Sequence, residues 1–163
     1  MATYSRETRV AAPLSEVWEF HSRVSGLVDL TPGFLNLEIE RIVGPDGETL
    51  PEASVLETGT RIESSVRPFG IGPRQEWTSV IVEREEGEGS AHFVDTMAEG
   101  PFPEWRHTHR FFGADGETVV SDRIEYRLPG GELGEFASRF AAVGFEPMFR
   151  YRHRRTRELL GGG

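Results

Sequence analysis

The sequence predicts an α+β fold in which a curved antiparallel sheet of six to seven strands wraps around a long C-terminal helix. Three observations carry that prediction. Apolar residues alternate with polar ones through most of residues 59–128, in runs broken by Gly- and Pro-rich turns. The breaks are short, which makes successive strands antiparallel neighbours. After Pro129-Gly130-Gly131 the period becomes helical and stays so almost to the end of the chain.

Each element follows from its residues. Residues 3–11 alternate loosely and read as a strand. Pro13 suits the first turn of a helix, where its fixed φ and missing N–H cost nothing. Val17, Phe20, His21 and Val24 recur at helical spacing, so residues 14–24 form a short amphipathic helix ended by Ser25-Gly26. Residues 27–31 add one more turn before Pro32-Gly33. From Phe34 the period is two, with Leu35, Leu37 and Ile39 on one face of a half-buried strand. Residues 44–58 are mostly loop, opened by the turn Gly44-Pro45-Asp46-Gly47. Strands follow at 59–68, 74–85, 90–98, 104–113 and 118–128. Leu133, Phe136, Phe140, Ala141 and Met148 then form the apolar stripe of the last helix, with a kink or break expected at Pro147. Such a helix covers the apolar face of the sheet, and any space it does not fill is a cavity.

Composition sets outer bounds. The 163 residues make one domain, 1–163, with no repeat or linker. A net charge of −9 argues against a nucleic-acid or anionic-membrane surface. All 18 basic residues are Arg, a bias that reads equally as adaptation to high salt or as high-GC coding. No Cys is present, which excludes disulfides, thiolate zinc sites and a Cys nucleophile. The N-terminus lacks the apolar core of a signal peptide and no run is long enough to span a membrane, so a cytoplasmic protein is expected.

The stretch Glu99 to Phe112 carries the most information. A Gly100-Pro101 turn leads into a strand with Trp105, His107, His109 and Phe111 on one face and Arg106, Thr108 and Arg110 on the other. Two aromatics and two imidazoles on one face read as a cavity wall.

The chain resembles the START-like helix-grip superfamily, which includes polyketide cyclases, plant pathogenesis-related proteins and lipid-transfer domains. Within it the chain is most similar to SRPBCC-type cyclase/dehydrase-like proteins. The matching residues are Val17-Trp18-Glu19-Phe20-His21, Leu30-Thr31-Pro32, Trp77 and Phe93-Val94-Asp95. Gly100-Pro101-Phe102 with Trp105, His107, His109 and Phe111 is the most specific match; Asp122, Tyr126 and Leu128-Pro129-Gly130 complete it. The resemblance spans essentially the whole chain. It implies a deep cavity between sheet and C-terminal helix holding a hydrophobic or amphipathic small molecule, and it leaves carrier, sensor and enzyme open; the ligand expected here is hydrophobic or aromatic.

Three readings compete for His107 and His109. A metal strand of cupin type needs a Glu after the second His and a distant third His; no Glu lies between His109 and the Gly113 turn. Acid–base chemistry suits two imidazoles whose tautomers Asp95 or Asp122 fix. A third reading makes both His hydrogen-bonded structural residues in a polar layer. Asp95 and Asp122 each share a strand face with apolar residues and need partners, for which the two His and the Trp indoles are at hand. The expected ligand-binding residues are Trp77, Phe93, Asp95 and Trp105, together with His107, His109, Tyr126 and Phe140. Gly144 either widens the cavity or serves as a hinge before Pro147. The basic run Arg150 to Arg157 reads as cations favoured near a helix C-terminus. Gly70-Ile71-Gly72 is too short for a phosphate loop, and no nucleophile-elbow or Ser-His-Asp pattern occurs. No metal and no cofactor are expected. The enzyme alternative is a polyketide cyclase or dehydratase.

Overall fold

A computed structural model of the chain describes residues 1–138 and 142–161, with the side chains of 135–144 outside the description. The strands are β1 (Ala2–Val10), β2 (Glu38–Val43), β3 (Arg61–Val66), β4 (Gln75–Glu86), β5 (Ser90–Glu99), β6 (Glu104–Ala114) and β7 (Glu117–Arg127). They form one sheet in the order β1-β7-β6-β5-β4-β3-β2, every neighbouring pair antiparallel. From β2 onward the chain is a meander. Between β1 and β2 it crosses from one edge of the sheet to the other through α1 (Leu14–His21) and α2 (Val24–Asp29).

Turn chemistry and irregular pairing shape the sheet. Asp115 and Gly116 both take positive φ, 55° and 78°, in the tight turn between β6 and β7. That is the conformation whose twist matches a hairpin, and Asp-Gly is its favoured sequence. Register shifts interrupt β4/β5 after Thr78 and after Ile81, and β2/β3 after Ile39. Each such bulge bends its strand and raises the local twist, which curls the sheet toward the helices.

Two helices follow β7: α3 (Gly131–Ser138) and α4 (Ala142–Leu160). α4 crosses the concave face and is tied to β1. The Tyr4 hydroxyl donates to the Glu146 carboxylate at 2.6 Å, and Arg6 reaches the other oxygen at 2.5 Å. Burial together with the Glu146 charge pushes the Tyr4 phenol pKa up, so Tyr4 stays a donor. The interior has two apolar clusters. One joins Val10, Val17, Trp18, Ile62, Ile81, Phe93 and Phe111. The other joins Tyr4, Trp105, Ile124, Tyr126, Phe145 and Phe149.

Four local expectations are corrected. The helix expected over 14–24 ends at His21, because the Ser22 hydroxyl turns back onto the Trp18 carbonyl at 2.6 Å and Arg23 is extended and bridges to Val55. The strand expected from Phe34 starts at Glu38; Gly33–Leu35 form a 3-10 turn closed by Asn36 at φ 50°. No break occurs at Pro147, and α4 runs through it. Pro147 lies in the second turn of α4, where it removes a single intrahelical bond. Leu133 stands 80% exposed and does not join the apolar stripe. Phe136, Phe140 and Ala141 of the expected stripe lie where side chains are outside the described residues, as does Gly144, read as widening the cavity or as a hinge.

Candidate functional site

Alternation along β6 sets the wall of the site. Trp105, His107, His109 and Phe111 all point inward and all are buried. Register then chooses their neighbours. Across to β5, His107 pairs with Asp95 and His109 with Phe93. Across to β7, His109 pairs with Asp122 and Trp105 with Tyr126. The outcome is a polar belt running across the sheet between the two apolar clusters.

The belt is held by short contacts. Asp122 accepts from three imidazoles: His107 Nε2 at 2.8 Å, His109 Nδ1 at 3.2 Å and His153 Nε2 at 2.6 Å. Asp95 accepts from His109 Nε2 at 2.8 Å and, at 3.4 Å, from Trp105 Nε1. His107 Nδ1 lies 3.8 Å from Asp95 Oδ2, too far for a hydrogen bond. The imidazoles of His107 and His109 lie with centroids 3.6 Å apart at a tilt of 32°, and His109 stacks on Phe93 at 4.1 Å.

These contacts fix protonation. Burial, and then the charge of His109, push the His107 pKa down. Burial also opposes the His109 cation, but Asp122 and Asp95 outweigh it and its pKa lies above the ordinary value. Burial works against ionised Asp122, yet the imidazole N–H groups hold its carboxyl well below the usual range; Asp95 is lowered by His109 and His107 in the same way. His107 therefore donates Nε2–H to Asp122 and keeps a lone pair on Nδ1. His109 is the cation, sandwiched between two carboxylates. His21, on α1, is pushed down to about 4 by burial and donates Nδ1–H to the Val17 carbonyl at 2.8 Å.

In front of the belt lies a cavity of about 570 Å³ between the sheet and α4. Of the sequence-predicted residues, Trp77, Phe93, Asp95, Trp105, His107 and His109 line it. Trp77 meets Trp105 edge-on at 5.0 Å and Phe102 at 5.8 Å. Tyr126 does not line it: its ring is covered by Phe145 at 4.9 Å and is 1% exposed. Phe140 lies outside the described residues.

On α4 the sequence reading placed Met148 on the apolar stripe but missed Phe145, Phe149, Arg152 and His153. Phe145, Met148, Phe149 and Arg152 line the cavity, and His153 reaches behind them to Asp122. The basic run is corrected accordingly: Arg152 and His153 face the interior, while Arg150 and Arg154 stay on the surface. The spacing of Phe145, Phe149 and His153, four apart, was the available signal.

Asp95, His107 and His109 place three ligand atoms within 4.8 Å of one another. As arranged, Asp95 is already taken by Trp105 and His109, and His109 gives both ring N–H groups to Asp95 and Asp122, which leaves His107 Nδ1 as the one free nitrogen of the two rings. That donor geometry fits a hydrogen-bonded cluster better than a metal centre.

A sheet curled around a C-terminal helix, with a cavity between them, is the helix-grip architecture of START-like proteins. The chain belongs to the polyketide cyclase/dehydrase and lipid transport family, which matches residues 10–152. Its fold is that of a Chromobacterium violaceum protein at TM-score 0.67 and 12% identity, covering 99% of both chains. Norcoclaurine synthase from Thalictrum flavum, solved with dopamine and hydroxybenzaldehyde, is similar at TM-score 0.62 and 18% identity over 97% of this chain and 85% of that one. A Thermus thermophilus protein gives 0.61 and 15% over 95% and 97%. No curated protein is a significant match. No helix among the described residues is long and apolar enough to cross a membrane.

Proposed function

We propose that the chain binds a hydrophobic or aromatic small molecule in the cavity between sheet and α4. The observation that carries this reading is the cavity itself. About 570 Å³ is the size of a small-molecule site, and its wall is largely apolar with a few convergent polar groups. Trp77, Trp105 and Phe93 supply flat surfaces for an aromatic ligand, and the Asp95–His107–His109 belt supplies its orienting contacts. Membership of a family of cyclases, dehydrases and lipid-transport proteins supports the same class of ligand. Native mass spectrometry of the purified protein, followed by thermal-shift measurement across a hydrophobic library, tests it. An empty protein that no compound stabilises refutes it.

One observation favours a second reading, a cyclase or dehydratase. Two adjacent imidazoles on the cavity wall are pushed in opposite directions, His107 down and His109 up. Neighbouring imidazoles driven apart in this way take different roles, the neutral one poised as a base and the cationic one to stabilise negative charge. In that reaction His107 Nδ1 takes a proton from the carbon next to a carbonyl and passes it to the hydroxyl that leaves as water, while the charge of His109, whose N–H groups stay with Asp95 and Asp122, stabilises the enolate between the two steps. His107→Ala and His109→Ala then abolish turnover of a polyketide-like substrate while the proteins stay folded. Variants that only unfold leave the belt with a structural role.

A further inference from the structure

Among the described residues, Arg152 is the charged group of the cavity lining with no ion-pair partner. Besides the imidazoles, the lining carries formal charge at Arg23, Asp95 and Arg152. The Arg23 guanidinium is held by Glu19 and by the Ala53 carbonyl. Asp95 is paired with His109 and Trp105. Arg152 forms no ion pair among the described residues; its carbonyl accepts from Thr156, and its guanidinium lies 5.7 Å from the Phe149 ring centroid. The side chain is half-buried in the cavity wall, and that burial pushes its pKa down against the pull of Asp122 and Asp95.

We propose that Arg152 anchors an oxyanion on the bound molecule, so that the cavity takes an amphipathic carboxylate with an apolar or aromatic body. This rests on the ligand-binding reading above and narrows its ligand class. The layout fits such a molecule. α4 presents Phe145, Met148, Phe149 and Arg152 at helical spacings of three and four, a single face with three apolar residues followed by a cation. The body lies along Phe145 and Phe149, and the head meets the guanidinium, whose planar fork matches a carboxylate with two parallel N–H bonds. His109 offsets part of the Asp95 charge, and the head is set on Arg152 rather than on the belt.

Isothermal titration of the wild-type protein with matched probes tests this: 2-naphthoate against 2-naphthylmethanol, and decanoate against 1-decanol. The carboxylates are expected to bind about tenfold tighter or more, as a charge-assisted pair provides. Arg152→Met should reduce that preference, read as the ratio of carboxylate to alcohol affinity in the same variant, to about twofold or less, whereas Arg152→Lys keeps part of it. Alcohols that bind wild type as tightly as carboxylates, or a preference that survives in Arg152→Met, overturn the anchor while cavity binding stands. If none of the four probes binds, the cavity reading fails and the anchor with it. Should Arg152→Met not fold, the wild-type ratio and its decline in high salt decide the matter without it.

Discussion

Replacing Asp122 with Asn keeps the shape of the side chain and removes its charge. Three imidazole N–H groups aim at that carboxylate, from His107, His109 and His153, and all four residues are buried. An amide offers one acceptor oxygen in place of two, and its NH2 turns a donor toward the imidazoles. Removing one partner of a buried ion pair costs about 3–5 kcal/mol, because the other charge is left uncompensated. Against a total stability of about 5–15 kcal/mol for a domain this is a large fraction. At about 2–4 °C per kcal/mol for a chain of this length, the melting temperature should fall by about 6–20 °C. Urea unfolding followed by circular dichroism measures the loss directly, with the m-value unchanged. The sign with pH is definite. The Asp122 carboxyl is depressed in the folded state, so its contribution is present above the ordinary carboxylate range and fades only as pH falls through the lowered value. The gap between wild type and Asp122→Asn should therefore persist through neutral and mildly acid solution. A cycle with His153→Ala should give a coupling energy of about 0.5–3 kcal/mol. A loss below about 1 kcal/mol, or no coupling, would refute the account of the belt.

Other consequences can be checked independently. His21 titrates at about 4 in the folded chain against 6.5 when unfolded, so the unfolded state takes up its proton first as pH falls. That removes on the order of 3 kcal/mol of stability between those two values, and His21→Phe should flatten this part of a pH series of urea titrations. His109 acts oppositely: its pKa is raised, so its share of stability is complete below 6.5 and disappears as pH rises through the folded value; following its ring protons by NMR gives that value. Phe149→Ala empties a site 1% exposed in the apolar cluster and should cost about 3–5 kcal/mol while enlarging the cavity, seen as tighter binding of bulkier probes. Metal analysis after dialysis should find no stoichiometric divalent ion; one equivalent of zinc, lost in Asp95→Asn, would reverse the reading of Asp95, His107 and His109.

The inward face of β6 was legible because a strand has one simple rule, and Trp105, His107, His109 and Phe111 obey it. The need of Asp95 and Asp122 for imidazole partners was legible too, since a lone carboxylate on an apolar face is untenable. Which imidazole each would hold was not, because cross-strand register depends on turn geometry and on bulges such as those after Thr78 and Ile81. Tyr126 was assigned to the cavity on its face alone, and only the docking of α4 reveals Phe145 in front of it. His153 and Arg152 were lost among neighbouring arginines. A dense charge run hides a helical stripe, and residues one apart on a helix look in different directions.

The belt also bears on how this sheet finds its alignment. Sliding β6 by two residues along β7 keeps the same four side chains inward, so apolar patterning alone tolerates the error. After such a slide His109 sits across from Val120 or from Ile124, depending on direction, instead of from Asp122. A buried cation then faces an aliphatic chain; in the first case His107 moves across from Asp122 in its place, and in the second Phe111 does, so the cation loses that carboxylate either way. The charges thus act as a key that admits one alignment of three adjacent strands and rejects those that greasy contacts would accept.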